Sequence, residues 1–128
     1  MEESQKSVIQ TYRDLKVWQK AMDLMVESYR LASRLPPNEL YVLSAQIRRA
    51  ALSVPANIAE GHGRHHTGDF VHHLSMANGS LRELETLFEA SVRLGFLEDK
   101  DIRAAMEIAS QVGRMLTTLI RKLREGRK

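Results

Sequence analysis

The sequence predicts an all-α protein, an antiparallel up-down-up-down four-helix bundle. Three observations point there. Apolar residues recur at steps of three and four through four long stretches. No stretch alternates apolar and polar as a half-buried strand would, and the links between stretches are short and carry proline or glycine. At 128 residues the chain makes one domain, large enough to bury a sizeable core without a metal or a crosslink. Residues 1–11 are polar and aperiodic and read as a mobile arm, residues 12–125 as the bundle and 126–128 as a basic tail.

Asp14 is placed to cap a first helix whose apolar stripe is Leu15, Trp18, Met22, Met25, Tyr29 and Ala32. That helix ends near Leu35, because Pro36 and Pro37 each disfavour helix in the residue before them, while Pro37 can open the next. A second helix runs over residues 38–61 and carries Pro55 in its interior. It is expected to kink rather than stop, since the apolar step continues in phase through Val54 and Ile58, with Ser53 placed to bond back to the preceding turn and ease the bend. Gly61 and Gly63 are expected to supply the left-handed positions that close it. Thr67 then caps a third helix with Asp69 in its first turn and a stripe of Phe70, Leu74, Ala77, Leu81, Leu84, Phe88 and Ser91, ending at Gly95. Asn78-Gly79 is a turn signal, yet the stripe keeps phase across it, so the helix continues and Gly79-Ser80 reads as a place where another backbone can come close. Phe96 and Leu97 close the core at the next turn. Asp99 starts a fourth helix with Ile102, Met106, Ala109, Val112, Leu116, Leu119 and Leu123 inward.

The second helix is the most specific stretch. At about 100° per residue, Leu43, Ile47, Ala50, Ala51, Val54 and Ile58 share one face, and Ala45, Leu52, Ala56 and Ala59 a second, weaker apolar face. Gln46, Arg49, Ser53, Asn57 and Glu60 form a narrow polar strip between them. A helix apolar over most of its circumference needs partners on two sides, which predicts self-association. The strip is read as structural, fixing helix register, with Glu83 or Glu85 of the third helix as candidate partners for Arg49.

Composition excludes several functions. There is no cysteine, hence no disulfide framework and no thiolate metal site. The N-terminus lacks the apolar core of a secretory signal and no apolar run approaches the roughly 20 residues of a membrane span, so a cytoplasmic protein without membrane attachment is expected. Nothing places a nucleophile beside a base on a strained turn, and Gly61-His62-Gly63 lacks the strand and helix that a nucleotide-binding glycine motif requires, so the chain is read as no enzyme and as carrying no cofactor. Three Phe, three Tyr and one Trp are too few for an aromatic base-stacking platform.

Charge leaves nucleic acid open. Nineteen Lys and Arg stand against sixteen Asp and Glu, a formal +3. Basic residues gather as Lys16 with Lys20, Arg30 with Arg34, and Arg114, Arg121, Lys122, Arg124, Arg127 and Lys128. Cations in a last turn also suit the helix dipole, but several are surplus to that need, and an oligomer multiplies them into a strong local field. Arg114, Arg121, Lys122, Arg124, Arg127 and Lys128, with Arg48 and Arg64, are the candidate contacts for RNA or DNA. The five histidines crowd into residues 62–73, and His65, Asp69 and His73 are four apart. No Glu-x-x-His pair of the bundle di-metal type accompanies them, so the segment is read as a solvated loop that gains charge below the imidazole pKa of about 6.5, not as a metal site.

DLKVWQKAM at Asp14–Met22, QIRRAALSVPANIAEG at Gln46–Gly61 and GSLRELETLFEASVRLGFL at Gly79–Leu97 together resemble the bacterial four-helix-bundle family named after proteins encoded in 23S ribosomal RNA intervening sequences. The resemblance covers Tyr12–Leu123, and an internal proline followed by Asn-Ile-Ala-Glu-Gly is not demanded by bundle packing in general. The His-rich linker His62–His66 departs from the Gly-x-Gly-Arg followed by Ser and Lys expected there. The resemblance implies a ring-shaped homo-oligomer, a homopentamer, with a nucleic-acid-binding role and no catalytic residues. The accessory proteins of diversity-generating retroelements are similar in architecture, form pentamers, and bind nucleic acid and a reverse transcriptase. The alternative is a protein-interaction or scaffold module that binds no nucleic acid.

Overall fold

A computed structural model describes residues 9–126. Four helices account for most of them: α1 (Lys16–Ala32), α2 (Leu43–His62), α3 (Thr67–Arg93) and α4 (Asp99–Gly126), with single 3-10 turns at Tyr12–Asp14 and Pro37–Glu39. No strand occurs among the described residues. Each helix packs on its neighbours in sequence and α4 returns to α1, so the four enclose one core. Phe88, Leu24, Ile47, Ile58, Leu74, Leu81, Leu84 and Leu116 are its largest fully buried side chains. None of the described helices is long and apolar enough to cross a membrane.

Asp14 does not cap α1. Its carboxylate accepts the N–H groups of Gln10 at 2.9 Å and Thr11 at 3.1 Å, while the Thr11 hydroxyl accepts the Arg13 N–H. This is a capping box around the Tyr12–Asp14 turn, and α1 opens only at Lys16, with Leu15 at the cap position and no side-chain bond. Residues 10 and 11 of the expected arm are thus tied to Asp14; residues 1–8 lie outside the described residues.

The buried stripe of α1 is Val17, Ala21, Leu24, Ser28 and Leu31, one position away from the expected one; Leu15, Trp18, Met22, Met25 and Tyr29 are only half buried, and Ala32 alone of that set is fully inside. Small Ala21 and Ser28 let the neighbouring helices come close, which pushes the bulky side chains to the flank. The Ser28 hydroxyl donates to the Leu24 carbonyl at 2.7 Å, so its burial leaves no polar group unsatisfied.

α2 begins at Leu43 rather than near residue 38, because the chain after Pro37 makes a 3-10 turn and then breaks at Val42, with φ −117° and ψ −92°. All six residues of its expected inward face are buried, and the helix continues through buried Pro55. Ser53 does not bond back to the preceding turn. Its hydroxyl instead meets Ser80 Oγ at 2.8 Å, and the Asn57 side-chain amide donates to the Ser53 carbonyl at 2.9 Å. Neither Gly61 nor Gly63 is left-handed: Gly61 is helical and Gly63 has φ −79°, and Gly95, at φ +84°, is the only positive-φ residue among those described. Gly61 answers a different need, since a Cβ there would stand 2.6 Å from His73 Cβ and 3.0 Å from the Phe70 ring on α3.

α3 runs unbroken across Asn78-Gly79, with Thr67 as its first residue and His66, not Thr67, at the cap position. Apart from its own turn of helix, no atom of the described residues lies within 4 Å of a Cβ built on Gly79, so no other described segment makes the expected close backbone approach. α4 starts at Asp99 as expected. The Glu98 N–H donates to Asp101 Oδ2 at 2.8 Å, and Asp101 Oδ1 lies 3.2 Å from Arg34, joining the end of α1 to the start of α4.

Candidate nucleic-acid interface

The N-terminal half of α1 lies beside the C-terminal half of α4, and between them runs an open groove of about 640 Å³. Leu15, Val17, Met115 and Leu119 give it an apolar floor; Lys16 and Lys20, one turn apart on α1, and Arg114 and Lys122 on α4 give it a basic rim. No carboxylate lines it, and none of the three lysines has an ion-pair partner among the described residues. Arg114 donates to Ser110 Oγ at 2.7 Å, a neutral partner that leaves its charge uncompensated. Four like charges around one groove attract counterions that an anion can release. On the outer side of α4, Arg121 and Arg124 flank a second depression with Thr117, Ile120 and Glu125. Arg114 and Lys122 thus line the groove and Arg121 and Arg124 the second depression of the same helix end, and Arg127 and Lys128 lie outside the described residues.

Arg48 and Arg64 are placed differently. The Arg48 guanidinium sits 5.7 Å from the centroid of the Tyr29 ring and is half buried, a cation–π contact that ties α2 to α1. Arg64 pairs with Glu60 at 2.8 Å one turn away, with both side chains exposed, so its charge is locally offset. Two cations near the end of α1 are taken up by carboxylates, Arg30 by Glu27 and Arg34, just beyond the helix, by Asp101.

The polar strip of α2 divides in two. Ser53 and Asn57 face α3, where Ser80 Oγ meets Ser53 and His73 Nδ1 lies 3.2 Å from Asn57 Oδ1. Gln46 and Arg49 are exposed and bond to each other at 3.4 Å. Arg49 reaches neither Glu83 nor Glu85; Glu85 is held by Arg82 at 2.7 Å on its own helix. The second apolar face of α2 is left open, with Leu52 45% exposed and Ala56 exposed as well.

The histidines do not converge on a site. Among the described residues no three His, Asp or Glu side chains are grouped to hold a metal. His62 packs edge-on against Phe70, and His73 is nearly buried between Asn57 and Glu60. Two ionisable groups are visibly perturbed. Asp14 is held below the usual carboxyl range by the Gln10 and Thr11 N–H groups, and Asp101 by the Glu98 N–H, opposed in part by desolvation and assisted by Arg34.

Lys16 and Lys20 were visible in the sequence as an i,i+4 pair, but nothing in it says that they face α4. Gln111 gave no signal at all. It lines the same groove, and its side-chain Oε1 is buried without a hydrogen-bond partner among the described residues.

A family model described as 23S rRNA-intervening sequence protein matches residues 13–118. Among solved structures, a protein of unknown function from the S23 ribosomal protein family of Bacteroides thetaiotaomicron is similar, with a TM-score of 0.76 and 24% identity over 81% of this chain and 97% of that one. At that identity the likeness shows the fold. No curated protein matches the chain.

Proposed function

The chain belongs to the family of 23S rRNA-intervening sequence proteins, and from that premise we propose that it is a non-enzymatic, cytoplasmic nucleic-acid-binding protein. In this reading an antiparallel up-down-up-down bundle assembles as a ring-shaped homo-oligomer and holds the phosphate backbone of RNA or DNA on its basic surface. One observation carries the reading: Lys16, Lys20, Arg114 and Lys122 meet around a groove with no acidic residue among them. Arg121 and Arg124 extend the basic surface, while Arg48 and Arg64, each already engaged within the chain, contribute less than α4.

Phosphate contacts give affinity without sequence reading, so binding is expected to weaken steeply with salt. If four cations of one groove are engaged, the slope of log K against log salt is about −3 for a single strand. Lys122→Glu should reduce affinity and make the slope shallower by about one. Anisotropy titrations across ionic strength test this, and absence of binding to duplex, single strand and structured RNA at low salt would overturn it. Self-association rests on the open second face of α2, where Leu52 is 45% exposed. Light scattering at micromolar protein checks it, a monomer mass being the contrary result.

A run of exposed apolar residues, Leu40, Tyr41 and Val42, at the entry to α2 favours a second reading, a protein-interaction module. Under that reading, charge reversal on α4 leaves partner binding intact and nucleic acid is not bound.

A further inference from the structure

The groove between α1 and α4 is more than a set of cations. Its floor is apolar, with Leu15, Met115 and Leu119 only half buried there. Its charges stand on both walls, Lys16 and Lys20 on α1, Arg114 and Lys122 on α4. A phosphate backbone engages the cations and leaves such a floor in water. From Gln111 to Lys122 the α4 wall is about 16 Å long, or three helical turns. That stretch is helix interior, so its backbone N–H and C=O groups are already paired and offer nothing to an extended chain. An occupant lying along this wall has to satisfy its own backbone, as a helix does.

Other anionic amphiphiles match less of the groove. A flat bilayer does not reach a floor recessed between two helices. A small amphiphile has one head group, whereas Arg114 and Lys122 are about 12 Å apart along their helix axis. An amphipathic helix with an apolar stripe and carboxylates on both flanks meets floor and walls together. Its stripe enters the floor, where the unbranched Met115 side chain adapts to what it meets, and its flanks reach the cations on either side. No carboxylate lines the groove to repel it. We propose that the α1–α4 groove is a docking site for an acidic amphipathic helix of a protein partner. The helix uses the same four cations as nucleic acid, so each displaces the other; this displacement rests on the nucleic-acid reading above, and the docking does not.

The probe is a capped, labelled peptide of about fourteen residues, with leucine at steps of three and four, glutamate on both sides of that stripe and alanine elsewhere. Its control has the same composition with the leucines scattered, so charge is constant and only the stripe is lost. Anisotropy at fixed low salt should show the striped peptide bound about ten-fold or more tighter than the control. Leu119→Ser removes part of the floor and should cut the striped peptide's affinity about five-fold or more, with no change for the control or for a labelled oligonucleotide. Lys16→Glu and Lys122→Glu, one on each wall, should each weaken both peptides. Both lysines are exposed, so these variants keep the fold and test the site even if Leu119→Ser does not. Unlabelled striped peptide should release a bound oligonucleotide. Equal affinity for striped and control peptides, or lysine variants that bind the striped peptide unchanged, overturns the docking site and leaves nucleic-acid binding in place. Striped peptide bound without release of the oligonucleotide overturns the shared rim. No oligonucleotide bound at low salt, with the striped peptide bound as expected, overturns the nucleic-acid reading and supports the docking site. A fall in assembly mass for Leu119→Ser, read by light scattering, would place a second copy of the chain in the groove and overturn the separate partner.

Discussion

Gly61→Ala should destabilise the protein although the position is helical, where alanine is ordinarily favoured by about 1 kcal/mol. The added Cβ would lie 2.6 Å from His73 Cβ, 3.0 Å from the Phe70 ring and 3.3 Å from the Phe70 carbonyl oxygen. Carbon atoms pack at about 3.5–4.0 Å, so the first contact is too close by roughly 1 Å. His73 Cβ is fixed to its backbone and cannot swing aside; α3 itself has to move away from α2. That shift also strains the Asn57–His73 contact at 3.2 Å. Overpacking of this kind costs about 1–3 kcal/mol, and the helix-propensity gain of about 1 kcal/mol offsets part of it, leaving a net loss of up to about 2 kcal/mol. Gly79→Ala is the internal control. It has the same chemistry in the next helix with nothing within 4 Å, and should stabilise by about 0.5–1 kcal/mol. The two variants should therefore differ by up to about 3 kcal/mol, or up to about 12 °C in melting temperature for a chain of this size. Thermal unfolding followed by circular dichroism at matched protein concentration measures the gap. A Gly61→Ala protein that melts at or above Gly79→Ala would refute the packing argument.

Ile58 is fully buried and Leu52 is 45% exposed, so an aspartate at the two positions should act differently. Ile58→Asp places an unpaired charge in the core and should abolish the helical signal, whereas Leu52→Asp should fold and give a smaller assembly by light scattering. If both unfold, or both keep the native mass, the division of α2 into an inward and an outward apolar face is wrong. Asp101 gives a pH prediction. Its carboxyl is depressed in the folded state, first by the Glu98 N–H and further by Arg34, so its contribution is present above the unfolded carboxyl pKa of about 3.9 and disappears as pH falls through the lower folded value. Asp101→Asn should lose less stability than the native protein between about pH 5 and about pH 2, as read from urea midpoints. Parallel acid curves for the two proteins would remove Asp101 from the account.

Periodicity was sufficient for the helices whose core face is made of large residues. α2, α3 and α4 bury nearly what their stripes imply, because Ile47, Val54, Ile58, Leu74, Phe88 and Leu116 leave one phase in which apolar area can be removed from water. α1 was legible as a helix but not in its rotation. Its large side chains, Trp18, Met22, Met25 and Tyr29, form a stripe as regular as the true one, and the choice between the two depends on how closely Ala21 and Ser28 allow neighbours to approach. That is a property of the assembled core. Gly61 shows the same limit in another form: glycine near a helix end suggested a left-handed stop, and the deciding fact was His73 Cβ on the facing helix. Local sequence can rank local reasons for a residue, but cannot weigh them against a partner twelve positions away.

The candidate site was legible only in its charges. Arg114, Arg121, Lys122 and Arg124 stood out as a basic helix end, and the structure adds Lys16 and Lys20 from across the groove. It also separates cations that composition treats alike. Arg34, Arg30, Arg64 and Arg82 each face a carboxylate, and Arg48 faces a ring, so these five basic residues are already engaged within the chain. What is left uncompensated is concentrated along α1 and α4. A net charge of +3 is therefore a poor measure of what an anion encounters, because the neutralising carboxylates lie elsewhere. Gln111 is the opposite case, a neutral side chain with no periodicity, charge or motif to mark it, conspicuous only because its oxygen is buried with no hydrogen to accept among the described residues.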